Sequence, residues 1–388
     1  MIARRQQVSL VVTALLAAAA ACQAHQREDQ HTPPGRAAPA APNAATAPGA
    51  FTLVASGGIL PDASVLERSA FDAGGAGHDF RPMLEGVKDI VSRADLALCH
   101  LGTVFGASPP YTGAPDYKSP PELAPSLAAA GYDSCSTASE HALDDGADGV
   151  RRTLDALDEA GLRHAGSARG EVEARGTLLQ AGRTVVAHLA YTDGTNDDLP
   201  PDQPWAVRVI DEKRIVEDAR AARQAGAEVV VVSLDWGQAW QDAPDAQQLD
   251  LARKLTASHA GGRPDVDLIL GSHAHVPQAY EKVNGTWVVY GLGDQIAGAA
   301  TDDSGRPNPR ANQSTLARFT FSPPARPGGR WEVARAEFVP EVFDLDAGRV
   351  VNLGKAIARG ADLQGVRDRI RTAVLSRGAA KDGLVMGE

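Results

Sequence analysis

From residue 51 onward, short runs of β-branched and apolar residues alternate with amphipathic stretches, and this alternation points to an α/β sandwich rather than a helical bundle or an all-β fold. Residues 51–55, 95–99 and 134–138 read as strands, the first ended by Gly57-Gly58. Residues 185–191, 229–234 and 268–270 read as buried strands. Val150, Leu154 and Leu157 have helical spacing before Gly161, which predicts a helix over 147–160. Further helices are expected over 215–225 and over 244–258, the latter with Pro244 in its first turn. Asn284-Gly285 between 279–283 and 286–290 is a hairpin signal. Late strands are expected over 318–321 and 331–339, and a surface helix over 360–377.

The N-terminus predicts export. Arg4 and Arg5 precede an apolar run over 8–21, too short for a membrane-crossing helix of about 20 residues. Ala19-Ala20-Ala21-Cys22 resembles a lipoprotein processing site, with Cys22 as the lipidated residue; ordinary secretion is the other reading. Residues 23–49 are Pro/Ala-rich with almost no large apolar side chain, the composition of a tether. The chain thus divides into a signal peptide (1–22), a tether (23–49), a folded domain (50–342) and a C-terminal extension with a helix (343–388). Loss of residues 1–21 takes the formal charge from −11 to −13. No Lys/Arg cluster offsets this, which disfavours nucleic acid and anionic membrane as partners and leaves a lipid anchor as the membrane contact. Cys99 and Cys135 remain; an oxidising compartment invites a disulfide between them, and two buried thiols are the alternative.

The residues that carry chemistry stand just past the strands. His100 comes after the second, Glu140-His141 after the third, Asp235 after the run over 229–234, and His273-Ala274-His275 after the run over 268–270, while Asp294 comes after the hairpin. In α/β sheets the carboxyl ends of strands open into the ligand crevice. Imidazole and carboxylate are ligands for zinc, manganese or iron. In an extended loop, His273 and His275 would point the same way, bringing two imidazoles to one point.

These segments, in order, resemble the CapA family of bacterial poly-γ-glutamate capsule-synthesis proteins, related to calcineurin-like metallophosphoesterases. The resemblance is carried by residues 51–59, 99–103, 131–146 with Thr-Ala-Ser-Glu-His, 230–237, 267–278 with Gly-Ser-His-Ala-His-Val, and 288–295 with Tyr-Gly-Leu-Gly-Asp. It implies a four-layer αββα sandwich with a two-metal site at the strand ends. Ligand positions depart from the family pattern. Gly57-Gly58 stands for Gly-Asp, His100-Leu101-Gly102 for Asn- or His-Leu-Glu, and Glu140-His141 for Asn-His. Asp235-Trp236-Gly237 stands for His-Trp-Gly, and Leu292-Gly293-Asp294 for Leu-Gly-Asn. What remains implies at most one divalent metal, zinc or manganese, on Glu140, Asp235, His273 and His275. His141 would act as acid, with His100 and Asp294 behind the ligands. The expected function is metal-dependent hydrolysis in the cell envelope, on an exported polymer or a small phosphoester. A binding or assembly factor without metal is the alternative.

Overall fold

The computed structural model describes residues 49–300, 308, 310–326 and 328–388. The expected signal peptide with Cys22, and the tether as far as residue 48, lie outside them. After β1 (Phe51–Ile59) come helices α1 (Ala63–Asp72) and α2 (Arg81–Val91), then β2 (Leu96–Leu101). Helix α3 (Leu123–Ala130) leads into β3 (Ser134–Ser136), and α4 (Gly146–Glu159) into β4 (Arg163–Ala165). A second sheet takes β5 (Thr177–Ala181), β6 (Thr184–Thr192), β7 (Val229–Asp235) and β8 (Leu268–Ser272), with α5 (Glu212–Gln224) and α6 (Ala246–Ala257) between its central strands. The hairpin β9 (Tyr280–Val283) and β10 (Thr286–Val289) completes it. The chain returns with β11 (Asp294–Ile296), β12 (Gln313–Ser322), β13 (Glu332–Asp344) and β14 (Arg349–Asn352). Helices α7 (Leu353–Ala358) and α8 (Gln364–Leu375) and strand β15 (Leu384–Met386) complete the chain.

The first sheet runs β14-β13-β12-β1-β2-β3-β4, with β11 also on β1 and β15 on β13; the second runs β9-β10-β8-β7-β6-β5. Period-two alternation sorts their side chains into three cores. Leu53 and Ala55 of β1 and Val229 and Val231 of β7 meet between the sheets. Val54, on the other face of β1, packs among α1 to α4. Val230, Val232 and Leu234 pack under α5 and α6. The result is the expected four-layer αββα sandwich. The boundary expected at residue 342 falls inside β13. Beyond it, β14 and β15 join the first sheet, and Ile370 and Val374 of α8 enter the core between the sheets.

Local chemistry explains several element ends. Asp245 caps α6 in a capping box with Gln248, so Pro244 stands before the cap rather than in the first turn. Asn284 and Gly285 take φ of 50° and 82°, the left-handed pair that a tight hairpin requires. Cys99 and Cys135 are direct partners on β2 and β3 and are joined by a disulfide. Closing a loop with a sequence separation of 36 contributes about 3–4 kcal/mol on the chain-entropy account.

Glu341 is fully buried in β13. Burial pushes its carboxyl up to about 8, against the opposing bond from Gln295 Nε2 at 3.1 Å. Tyr132 donates to the other end of the same amide at 2.7 Å. The folded protein therefore keeps this acid neutral at pH 7 while the unfolded chain ionises it near 4.5. Folding stability should be greatest below about pH 4.5 for this group, fall as pH rises, and level off above about 8, a span on the order of 5 kcal/mol. Thermal melts from pH 5 to 8.5 should show that decline, and Glu341→Gln should flatten it. An unchanged slope in the variant would contradict the assignment.

Candidate metal and acid–base cleft

The carboxyl ends of the parallel strands bring the expected side chains to one cleft. His100 is near the end of β2, Glu140 and His141 lie in the turn after β3, and Asp235 is the last residue of β7. His273 and His275 lie just beyond β8. Asp294 does not simply trail the hairpin; it opens β11, which returns to pair with β1.

Asp235 is buried at the floor. His100 Nε2 lies 3.2 Å from its Oδ1, and Ser272 Oγ donates to the same oxygen at 3.2 Å. Thr192 Oγ1 and the Glu140 backbone N–H donate to Oδ2 at 3.0 and 3.3 Å. Burial alone would raise this carboxyl. The contact with His100, the nearby His273 and the Thr192 hydroxyl outweigh it and hold the pKa at about 2.

His141 is fixed at both nitrogens. Its Nδ1 lies 2.8 Å from Asp144 Oδ2, and its Nε2 lies 3.5 Å from Glu140 Oε1. Asp144 Oδ2 also accepts the Tyr117 backbone N–H at 2.7 Å, and the Tyr117 ring meets the imidazole edge-on at 4.6 Å. Burial opposes the charged form of His141, but Asp144 and Glu140 prevail and raise its pKa to about 9. Glu140 is displaced the other way: burial raises it, while His141 and His273 more than compensate.

The two histidines after β8 do not behave as an extended pair. His273 and His275 have φ of 82° and 58°, and Trp240 beside them has 65°. Such backbone is rare for residues with a side chain and clusters at functional sites. It turns the imidazoles apart, ring centroids 6.0 Å from each other. His273 Nδ1 faces Glu140 Oε1 at 3.5 Å and Asp235 Oδ2 at 3.8 Å. His275 Nδ1 instead bonds Asp294 Oδ2 at 2.9 Å, under a Trp240 ring 5.0 Å away. Burial opposes protonation of His275, yet Asp294 raises its pKa above the ordinary histidine value.

Of the four expected ligands, Glu140, Asp235 and His273 therefore stand together, while His275 stands apart, paired with Asp294. Among the described residues, three potential ligand atoms lie within 4.8 Å of one another only at Asp158–His164–Glu173, away from this cleft. Arg169 bonds both of those carboxylates and offsets part of their charge. In the cleft, the donor chemistry of imidazole and carboxylate at 3.5–3.8 Å fits one divalent cation once the side chains close on it. Gly58 and Gly102 carry no ligand, and a Cβ at either would meet Leu60, at 2.7 and 2.6 Å.

Four other residues belong to the site. Tyr117 and Asp144 frame His141, Asn196 Nδ2 lies 3.1 Å from His141 Nδ1, and Asp193, just past β6, accepts from Gly237 N at 3.2 Å and Gln247 Nε2 at 3.1 Å. Only Asp193 carried a sequence signal, because it comes after a strand as the other acids do.

The fold and the cleft together define an αββα protein with a histidine–carboxylate site at its strand ends. Residues 52–299 match the family model described as bacterial capsule synthesis protein PGA_cap, and the chain belongs to that family. The capsule biosynthesis protein CapA of Bacillus anthracis is 26% identical over 172 residues, 43% of this chain and 40% of that protein. The PGA biosynthesis protein CapA of Bacillus subtilis (strain 168) is 27% identical over 202 residues, 48% and 49% of the two chains. The match thus spans half or less of these relatives. Among solved structures, the calcineurin-like phosphoesterase YfkN from Bacillus subtilis aligns with a TM-score of 0.41 at 14% identity, covering 84% of this chain and 98% of that one.

Because four donors converge on one buried carboxylate, Asp235→Ala should leave them unpaired and cost about 3–5 kcal/mol in metal-free buffer. Urea unfolding measures it; a loss below about 1 kcal/mol would show that Asp235 does not bind the floor together.

Proposed function

We propose that this protein is a cell-envelope factor of capsule or exported-polymer synthesis whose cleft hydrolyses an ester, phosphoester or amide with one divalent cation, zinc or manganese. The observation that carries this reading is His141. Asp144 engages its Nδ1, and its Nε2 faces Glu140 at 3.5 Å, beside the His273–Glu140 pair. An imidazole so oriented is placed to hand a proton to a departing oxygen, and Asp144 keeps the proton on Nδ1 that this requires. Glu140, Asp235, His273 and His275 would hold the cation, which supplies Lewis-acid activation of water when bound. Neutralising part of an acidic cleft also lets an anionic polymer approach.

A second reading, a factor that binds without turnover, is favoured by Gly58 and Gly102 and by an Asp235 whose oxygens already have four donors. Metal analysis after exposure to zinc or manganese separates the two. The hydrolase reading expects about one ion per chain, lost in the His273→Ala/His275→Ala variant. It also expects His141→Ala to keep the ion while hydrolysis of generic phosphomonoesters and diesters falls about 10²–10⁴-fold. Protein that binds no ion and hydrolyses nothing would establish the binding factor instead.

Membrane attachment is proposed to run through lipid on Cys22; no described helix is long and apolar enough to cross a membrane. Expressed in an exporting bacterial host, the wild type should fractionate with membranes and Cys22→Ser should not. Equal partitioning of both would refute the anchor.

A further inference from the structure

Gly58 and Asp294 face each other across the neighbouring parallel strands β1 and β11. The Asp294 carboxylate lies over the bare glycine: a Cβ at position 58 would stand 2.5 Å from Asp294 Oδ1. Its other oxygen accepts from His275 Nδ1 at 2.9 Å. Asp294 is only 4% exposed. Asp235, equally buried, has four donors, whereas Asp294 has the single His275 contact among the described residues. Asp294 Oδ1 thus has no protein donor among the described residues and is free to take a further positive partner.

We infer that Asp294 supplies the cation site with the carboxylate that position 58 lacks. His275 and Asp294 then form one wall of the site, facing Glu140 and His273 on the other. This rests on the single-cation reading above and adds a ligand to it. The arrangement is an exchange between adjacent strands. Because Gly58 has no side chain, Asp294 can lie across it, and with Asp294 in place a side chain at 58 would collide. The left-handed backbone at His275 and the Trp240 ring over its imidazole fix the histidine that aims this carboxylate.

The exchange predicts a reciprocal pattern, read by zinc titration calorimetry, by the absorption spectrum with cobalt(II), and by metal-free melts. Asp294→Asn, nearly isosteric, should weaken zinc binding by more than about a hundredfold, beyond the roughly 10–100-fold that loss of a partner behind a ligand costs, and alter the cobalt spectrum. Gly58→Asp alone should lower the metal-free melting temperature, since two carboxylates then crowd one space. Gly58→Asp with Asp294→Gly moves the carboxylate back across the strands; it should relieve that loss and recover zinc affinity to within about tenfold of wild type. If the exchanged variant does not fold, Asp294→Asn alone decides the matter. A loss of about a hundredfold or less with an unchanged cobalt spectrum in Asp294→Asn would overturn the inference while leaving the single-cation reading intact. A wild type that binds no zinc, cobalt or manganese would overturn both.

Discussion

The two sheets are held in register at the cleft by one carboxylate. Asp235 ends β7 in the second sheet, yet its partners come from both. Thr192 and Ser272 flank it on β6 and β8, while His100 reaches it from β2 and the Glu140 N–H from the turn after β3. Deeper between the sheets, His188 repeats the device, joining Ser134 of the first sheet to Ser233 of the second, each at 3.0 Å. Burial pushes His188 down to about 3, so it bridges as a neutral imidazole with one nitrogen donating and the other accepting. Apolar contacts between two sheets tolerate sliding; hydrogen-bonded polar groups do not, because each must find its partner. These bridges set where the cleft's two walls stand relative to each other.

That dependence explains why the architecture was easier to read from sequence than the site. Layering comes from hydrophobic period, and runs such as 229–234 state it directly, with alternate valines for two different cores. Helix α2 is equally explicit, with Pro82 in its first turn and Met83, Leu84, Val87, Ile90 and Val91 on one face, although the strand-led pattern passes over it. Helix α3 is hidden for a physical reason. Its sequence, Leu-Ala-Pro-Ser-Leu-Ala-Ala-Ala, has no charged face, and burial rather than amphipathic contrast holds it. The segment after residue 342 looks separate because its strands β14 and β15 are short; their membership of the first sheet depends on pairing with β13, which local pattern does not encode.

At the site, the gathering of these residues was legible and their direction was not. His100, Glu140, His141, Asp235, His273, His275 and Asp294 all reach the cleft, although His100 lies within β2 and Asp294 opens β11. Their pairings depend on backbone angles. Two-residue alternation holds only for extended chain, and positive φ at His273 and His275 sends one imidazole to Glu140 and the other to Asp294. Tyr117 belongs to a loop without period or motif, and its place beside His141 rests on Asp144 accepting its backbone N–H. No local signal in sequence announces such a contact.

A glycine beside a donor cluster can border a hole, a solvent-filled notch or a packed wall, and these differ in what an added side chain requires. Here the wall is packed. Leu60, 5% exposed, stands against both Gly58 and Gly102, so the two positions share one neighbour. Side chains restored at 58 and 102 would compete for the volume Leu60 fills, and their effects would couple through it rather than add. Cleft chemistry and core packing are therefore the same variable at this end of β1. A side chain added at either glycine must first displace a buried leucine, and at position 58 the Asp294 carboxylate as well.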